Sequence, residues 1–365
     1  MRNKTFFAVF RFAVVLCALV GLSASACAQA GGFSWSDGVE RLISKRGFAP
    51  RVCRLSDGRI LAGIETSEGI QTLASADQGE TWTAPVQASF RPGKRCANVN
   101  FYRDGQSLYL AYRAVERGAD RVYTSLQVSV SQDEGRSWKH HSTVAEYRET
   151  RGGVWEPCLG TLNGRLTCFY ANDAASVMKS GFQNIEYKVW DGSQWTGRTV
   201  VSDGNRHRSR DGMPVWTRLS SGVYVCVIES THHATMGFPF VVCVMYSADG
   251  QNWSEPVEIY RPAAPHSKAG APGVAELPDG RLAVSFQTDE DSAAKGDRES
   301  VMKTIVSDGS DVKTLTRSSF GPAESVFGGV SVWTGIACFD GVLYAAAGTR
   351  SGAKMKFIEL PARTP

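Results

Sequence analysis

Residues 126–138 read LQVSVSQDEGRSW. The first half alternates apolar and small polar side chains, the pattern of a β-strand. The second half is a polar turn that ends on a tryptophan. The same word returns as SADQGETW at 75–82, in weakened form as WDGSQW at 190–195, and as SADGQNW at 247–253. The closing tryptophans, Trp82, Trp138, Trp195 and Trp253, are separated by 56, 57 and 58 residues. A regular period of this length implies a repeated supersecondary unit. Within the word, the Asp side chain can accept turn amides and the Gly supplies a left-handed residue. The Trp is placed to pack between neighbouring units. Asp77, Asp133 and Asp249 are therefore read as parts of the fold rather than of a reaction.

A second periodic mark is a turn dipeptide between apolar runs. It occurs as Asp57-Gly58, Asp104-Gly105, Asn163-Gly164, Ser221-Gly222, Asp279-Gly280 and Asp340-Gly341, at spacings of 47, 59, 58, 58 and 61 residues. Asp-Gly and Asn-Gly suit two-residue hairpins because both central residues take positive φ. Six hairpins, each followed by two more strands, predict an all-β chain of six four-stranded antiparallel blades arranged as a β-propeller. Radial packing of that kind leaves only short, protected edges. Two β-sandwiches are the competing architecture, but they do not need a shared period. Residues 33–44 are expected to add the outer strand of the last blade and close the ring. Residues 31–365 then form one domain.

Composition narrows the partners. The chain has 365 residues, 42% hydrophobic and 21% charged, with a net charge of +4. No dense basic block is present, so nucleic acid and anionic membranes are poor partners. Residues 1–30 read as a signal peptide: Arg2, Lys4 and Arg11 accompany an apolar run to Leu22, and Ala28-Gln29-Ala30 is a cleavage signal. Export to a periplasmic or extracellular space is expected, without stable membrane insertion. Lipidation at Cys27 is a weaker alternative. Seven cysteines remain after Cys17 and Cys27 are removed. Cys226 and Cys243 are the single candidate disulfide. Cys158 and Cys168 flank a two-residue turn that would put them on opposite faces. No C-x-x-C spacing occurs, so no zinc site is expected. No cofactor is required, and the protein is expected to be a monomer.

Hairpin register places polar residues at one rim. Ahead of the turns stand Arg51, Asn98, Glu156 and Asp211. Behind them stand Glu65, Arg113, Asn172, Glu229, Gln287 and the 348–350 segment. Polar side chains at the ends of apolar strands are costly unless paired or solvated. Their accumulation predicts a binding depression over the axis. Glu156 lies between Trp155 and Pro157 in residues 152–173, GGVWEPCLGTLNGRLTCFYAND. Glu229 ends residues 210–229, RDGMPVWTRLSSGVYVCVIE, on the face shared by Val223, Val225 and Val227. These two glutamates are the candidate catalytic pair. Arg51, Asn98, Trp155, Asn172, Asp211, Trp216 and Gln287 are the candidate substrate contacts, with Phe238 as a further apolar surface. His232 and His233 are read as loop residues near the cleft, and His207 as part of a solvated or substrate-facing basic loop.

SADQGETW and SQDEGRSW resemble the Asp-box repeats of sialidases and related six-bladed propellers. GGVWEP, RDGMPVWTRL and VIE look like glycoside hydrolase family 93, the exo-acting arabinanases built on a sialidase-like propeller. That resemblance implies an acid/base glutamate on the third blade and a nucleophilic glutamate on the fourth, positions that Glu156 and Glu229 match. It also implies an oligosaccharide or polysaccharide substrate. A sialidase would need three arginines and a tyrosine nucleophile, and no convincing set is visible. A non-catalytic propeller that binds glycan or protein is the alternative of a different class.

Overall fold

The structure is a computed structural model that describes residues 33–179, 181–231 and 239–361. The proposed signal peptide with Cys17 and Cys27, and also His232, His233 and Phe238, lie outside the described residues.

Six four-stranded antiparallel sheets, five of them with their strands in sequence order, form the six blades of a propeller. Their inner strands are Phe48–Arg54, Arg95–Asp104, Val154–Leu162, Asp211–Arg218, Ala269–Glu276 and Ser331–Phe339. Blade six takes its outer strand from the start of the chain: Val39–Ser44 pairs antiparallel with Gly352–Glu359. The ring is thus closed by hydrogen bonds between distant parts of the sequence, as expected.

Apolar clusters fill the space between successive blades. One joins Ile43, Ile60 and Phe357 across blades six and one, and another joins Val225, Val227 and Phe286 across blades four and five. Middle strands are covered on both faces, which explains why Tyr224–Ser230 is almost continuously buried instead of alternating. The repeated tryptophans span these interfaces. Trp138 Nε1 donates to Thr72 Oγ1 of the preceding blade at 3.0 Å, and Trp195 Nε1 to Ser142 Oγ at 2.9 Å. Asp77 accepts the Thr81 amide at 2.9 Å and Asp133 the Ser137 amide at 2.8 Å, which ties each turn closed.

Two expectations need correction. Three of the six inner hairpins are tight, pairing Asp104 with Ser107, Leu162 with Arg165, and Phe339 with Val342. The other three are wider: the amides of Gly58, Gly222 and Gly280 each reach back three residues, to Leu55, Leu219 and Leu277. Cys226 and Cys243 do not form a disulfide, and both are buried free thiols. Cys226 pairs with Met245 and Cys243 with Ile228, so they are diagonal neighbours rather than partners. Cys158 stands opposite Phe169 and Cys168 opposite Leu159, on opposite faces as expected.

The inner strands share a feature that the repeats did not announce. Each slips register once, and each slip carries a non-glycine residue at positive φ: Ala49, Asn98, Glu156, Met213, Ala271 and Trp333. A β-bulge adds one unpaired residue and re-aims the side chains around it. Proline follows the bulged residue at Pro50, Pro157, Pro214 and Pro272. Its missing N–H is harmless where the ladder is already broken.

Candidate active site

The six bulges lie at one end of the ring, around the axis. Arg51, Asn98, Glu156, Met213 and Pro272 line a small pocket there. Glu156 is itself the bulged residue of blade three, with φ of 49°. Burial pushes its carboxyl up to about 7. Arg113 and Arg210 oppose that rise, and the charge of Glu229 adds to it. The Met213 amide of blade four approaches Glu156 Oε2 at 3.4 Å.

Glu229 comes from the second strand of blade four, opposite Gly212. Val225 and Val227 on the same face pack against blade five, and Glu229 continues that face at the rim. Its Oε2 accepts the Ala271 amide of blade five at 3.0 Å, and its Oε1 meets Arg210 Nη1 at 3.1 Å. A backbone amide and a guanidinium are partners suited to an anion.

The same interblade bond recurs elsewhere. Glu65 Oε1 accepts the Asn98 amide at 2.7 Å, and Gln287 Oε1 accepts the Trp333 amide at 2.5 Å. Glu65, Glu229 and Gln287 occupy equivalent places in blades one, four and five, each capping the bulge of the next blade. The location of Glu229 is therefore a fold device. Its distinction is the neighbouring Arg210 and Glu156.

Trp155 is half-buried. Its Nε1 donates to the Asp173 carboxylate, and the Arg113 guanidinium lies 4.8 Å from its ring centre. Arg51 reaches to the adjacent blade six, with Nη1 donating to the Pro50 and Trp333 carbonyls at 2.9 and 2.8 Å. Its stem lies where a Cβ on Gly335 would sit, 2.7 Å from Arg51 Cδ, so only glycine leaves room there.

Four candidate contacts are not brought into the depression. Asp211 is fully buried, and Ser202 and Ser230 each donate to its carboxylate at 2.6 Å. Asn172 is buried too, bonded to Glu186 and to the Ala174 amide. Trp216 stacks on Phe169 in the core between blades three and four and donates to the Cys158 carbonyl at 2.9 Å. Gln287 is buried and braces the Trp333 bulge. For Asp211, Asn172 and Gln287 the end of a strand was located but not the face its side chain takes; Trp216 lies within its strand, with its ring turned into the core between blades.

Two rim residues were missed. Arg210 was read only as part of a solvated or substrate-facing basic loop, without a partner; its amide is fixed by Thr231 Oγ1 at 2.7 Å and its side chain reaches Glu229. Trp333 holds, in blade six, the bulge position of Glu156 in blade three. The X-Pro dipeptides six or seven residues before four of the hairpin turns were the available signal for these bulges.

A larger cavity, about 800 Å³, opens at the opposite end of the axis among Tyr102, Thr161, Arg218 and Glu276. Glu276 there is engaged by the Ser220 hydroxyl and amide. No pair of facing carboxylates lies among its lining residues, so the chemistry is assigned to the bulge end.

No family model matches the sequence, and no curated protein matches it. Solved structures do match in fold. The α-L-arabinanase of Penicillium chrysogenum complexed with arabinobiose superposes with a TM-score of 0.67 at 18% identity, covering 88% of this chain and 98% of that one. The family 93 α-L-arabinofuranosidase of Fusarium graminearum, also complexed with arabinobiose, gives 0.64 at 17% identity, covering 90% and 98%. The NanB sialidase of Streptococcus pneumoniae gives 0.57 at 12% identity, covering 88% and 69%. The chain thus shares the six-bladed fold of family 93 glycosidases and of sialidases.

Proposed function

We propose that this chain is an exported glycoside hydrolase that cleaves an arabinan-type oligosaccharide with retention, using Glu156 as acid/base and Glu229 as nucleophile. One observation supports the reading: Glu156 and Glu229, from adjacent blades, are near enough for their charges to interact, and they stand in unequal environments. Burial raises the Glu156 carboxyl to about 7, so it holds its proton into the range just below neutral pH. Glu229 faces a guanidinium and an amide. Environments that separate two titratable groups assign acid and base roles.

In the first step the Glu156 proton passes to the glycosidic oxygen. The Glu229 carboxylate attacks the anomeric carbon as the bond to the leaving group breaks. In the second, Glu156, now ionised, takes a proton from water, and the oxygen of that water displaces Glu229 from the sugar. This route requires the carboxyls ~5–5.5 Å apart. Arg51, Asn98 and Trp155 remain at the depression as candidate sugar contacts. Similarity to arabinobiose-bound relatives favours an arabinose-containing substrate. Arg51, Arg113 and Arg210 are each committed, to carbonyls, to Trp155 and to Glu229, which disfavours a free arginine clamp for sialic acid.

The test is hydrolysis of linear arabinan, branched arabinan, xylan and sialyl-lactose, with product sizes read out. Arabinobiose release from linear arabinan, with turnover lost in Glu156→Gln and Glu229→Gln, is the expected result. Undiminished turnover in either variant, or release of sialic acid, overturns it.

A further inference from the structure

We infer that the furrow between blades one and two is a second carbohydrate subsite, one that takes an acidic sugar unit, a uronate, of a chain bound at the axis. The inference borrows from the proposed function the idea of a glycan ligand, but not which bond is cut. The furrow is a cavity of about 1020 Å³ between the hairpin loop of residues 66–69 and the segment 89–95 that leads into blade two.

Its charge is unbalanced. Arg95 is exposed and, among the described residues, has no hydrogen bond or ion pair; only its field is felt, by Glu65 and Arg113. Arg91 donates to the neutral Gln127 Oε1 and Thr143 Oγ1, at 2.7 and 3.1 Å, so its charge is also uncompensated. Lys94 is committed to Glu116 at 2.8 Å and lies over the Tyr123 ring. One carboxylate, Glu68, lines the furrow, and Gln71 donates to it. Two guanidinium charges without an ion-pair partner, against one carboxylate, leave the furrow positive.

Its shape suits a sugar. Phe90 is 38% exposed, unusual for so large an apolar residue here, and its amide is fixed by Tyr112 Oη at 3.0 Å. An aromatic face held in place offers a platform for the apolar side of a pyranose, and polar groups around it fix orientation. The wall is braced. Gln87 Nε2 donates to the Glu68 and Ser89 carbonyls and to Ser89 Oγ. Gly69 lies so close to Ser89 that a Cβ would fall 2.3 Å from its Oγ. A guanidinium fork is matched to a carboxylate, which a neutral sugar does not provide.

The furrow also lies close to the depression along the chain. Thr66 at its edge follows Glu65, which holds the Asn98 bulge. Arg95 precedes Asn98 by three positions on the inner strand, about 10 Å at strand rise. A bound chain leaving the axis between blades one and two would pass beneath Arg95.

Calorimetric titration of trigalacturonate and of its methyl ester into the intact protein separates charge from sugar. The acid is expected to bind, and the ester at least tenfold more weakly. Arg95→Gln should weaken the acid at least tenfold and leave the ester unchanged, with Arg95→Lys recovering part of the loss. Phe90→Ala should weaken both. No binding of the acid, equal binding of acid and ester, or an unaffected Arg95→Gln overturns the assignment. Hydrolysis of neutral linear arabino-oligosaccharides is measured alongside. Its absence in the wild type counts against the enzymatic reading alone, and Arg95→Gln is expected to leave its kcat and KM unchanged.

Discussion

Glu156 meets one neighbour that favours its proton, Glu229, and three that oppose it, Arg113, Arg210 and the Met213 amide. Burial outweighs them and raises the carboxyl to about 7. In an unfolded chain a glutamate titrates at about 4.3. A raised folded value favours the fold fully below the unfolded value, and that contribution is lost as pH rises through about 7. Glu156→Gln cannot ionise, so it should melt above the wild type at pH 8, by a few °C at about 2–4 °C per kcal/mol. The difference should shrink as pH falls from neutrality toward the ordinary glutamate range. Scanning calorimetry over a pH series checks this, and a difference independent of pH counts against it. In the proposed reaction the same proton sets the alkaline limb of activity: kcat/KM should decline above about pH 7 as Glu156 ionises.

At the scale of the element, the bulged inner strand is the working part. Glu65 and Glu229 make the same bond to the bulge of the next blade, and Gln287 shows that an amide oxygen suffices for it. Glu65→Gln and Glu229→Gln should therefore both fold with stability near the wild type. Activity should survive the first and fall by roughly a hundredfold or more in the second, since the proposed reaction uses Glu229 as nucleophile and Glu65 only as scaffold. Melting temperature and kcat, measured on both, separate the two roles. The bulge itself is strained at Ala49, whose φ of 45° precedes a proline. Ala49→Gly should be at least as stable as the wild type. Ala49→Val, with a branched Cβ in the left-handed region, should lose about 1–3 kcal/mol in denaturant titration.

At the scale of the molecule, closure of the ring decides stability. Trp35 is fully buried between blades five and six, its Nε1 donates to Thr304 Oγ1 at 2.8 Å, and its amide donates to Glu324 at 2.8 Å. It anchors the segment that becomes the outer strand of blade six. Trp35→Ala should cost about 3–5 kcal/mol, the range for a large aromatic removed from a core. The loss should appear as a lower urea midpoint. Because this contact joins the start of the chain to residues near its end, the loss should reach the whole ring as one cooperative unit. An unchanged midpoint would place the closure elsewhere.

The repeats in this sequence determined the number of blades, their strand order and the use of the first strand to close the last blade. They could do so because every repeat must bury the same apolar faces, which leaves a local and periodic trace. They also marked the strand ends where Glu156 and Glu229 stand, since a carboxylate that interrupts an apolar run is visible in one dimension. Hidden in the linear text was the direction of each side chain. One bulge per inner strand shifts the register by a residue and so exchanges the face that each neighbour takes. Tertiary structure alone sent Asp211, Asn172, Trp216 and Gln287 into the interior, held Cys226 and Cys243 apart, and brought Arg210 to Glu229. The physical reason is that burial and pairing across blades belong to the packed ring and to no single strand.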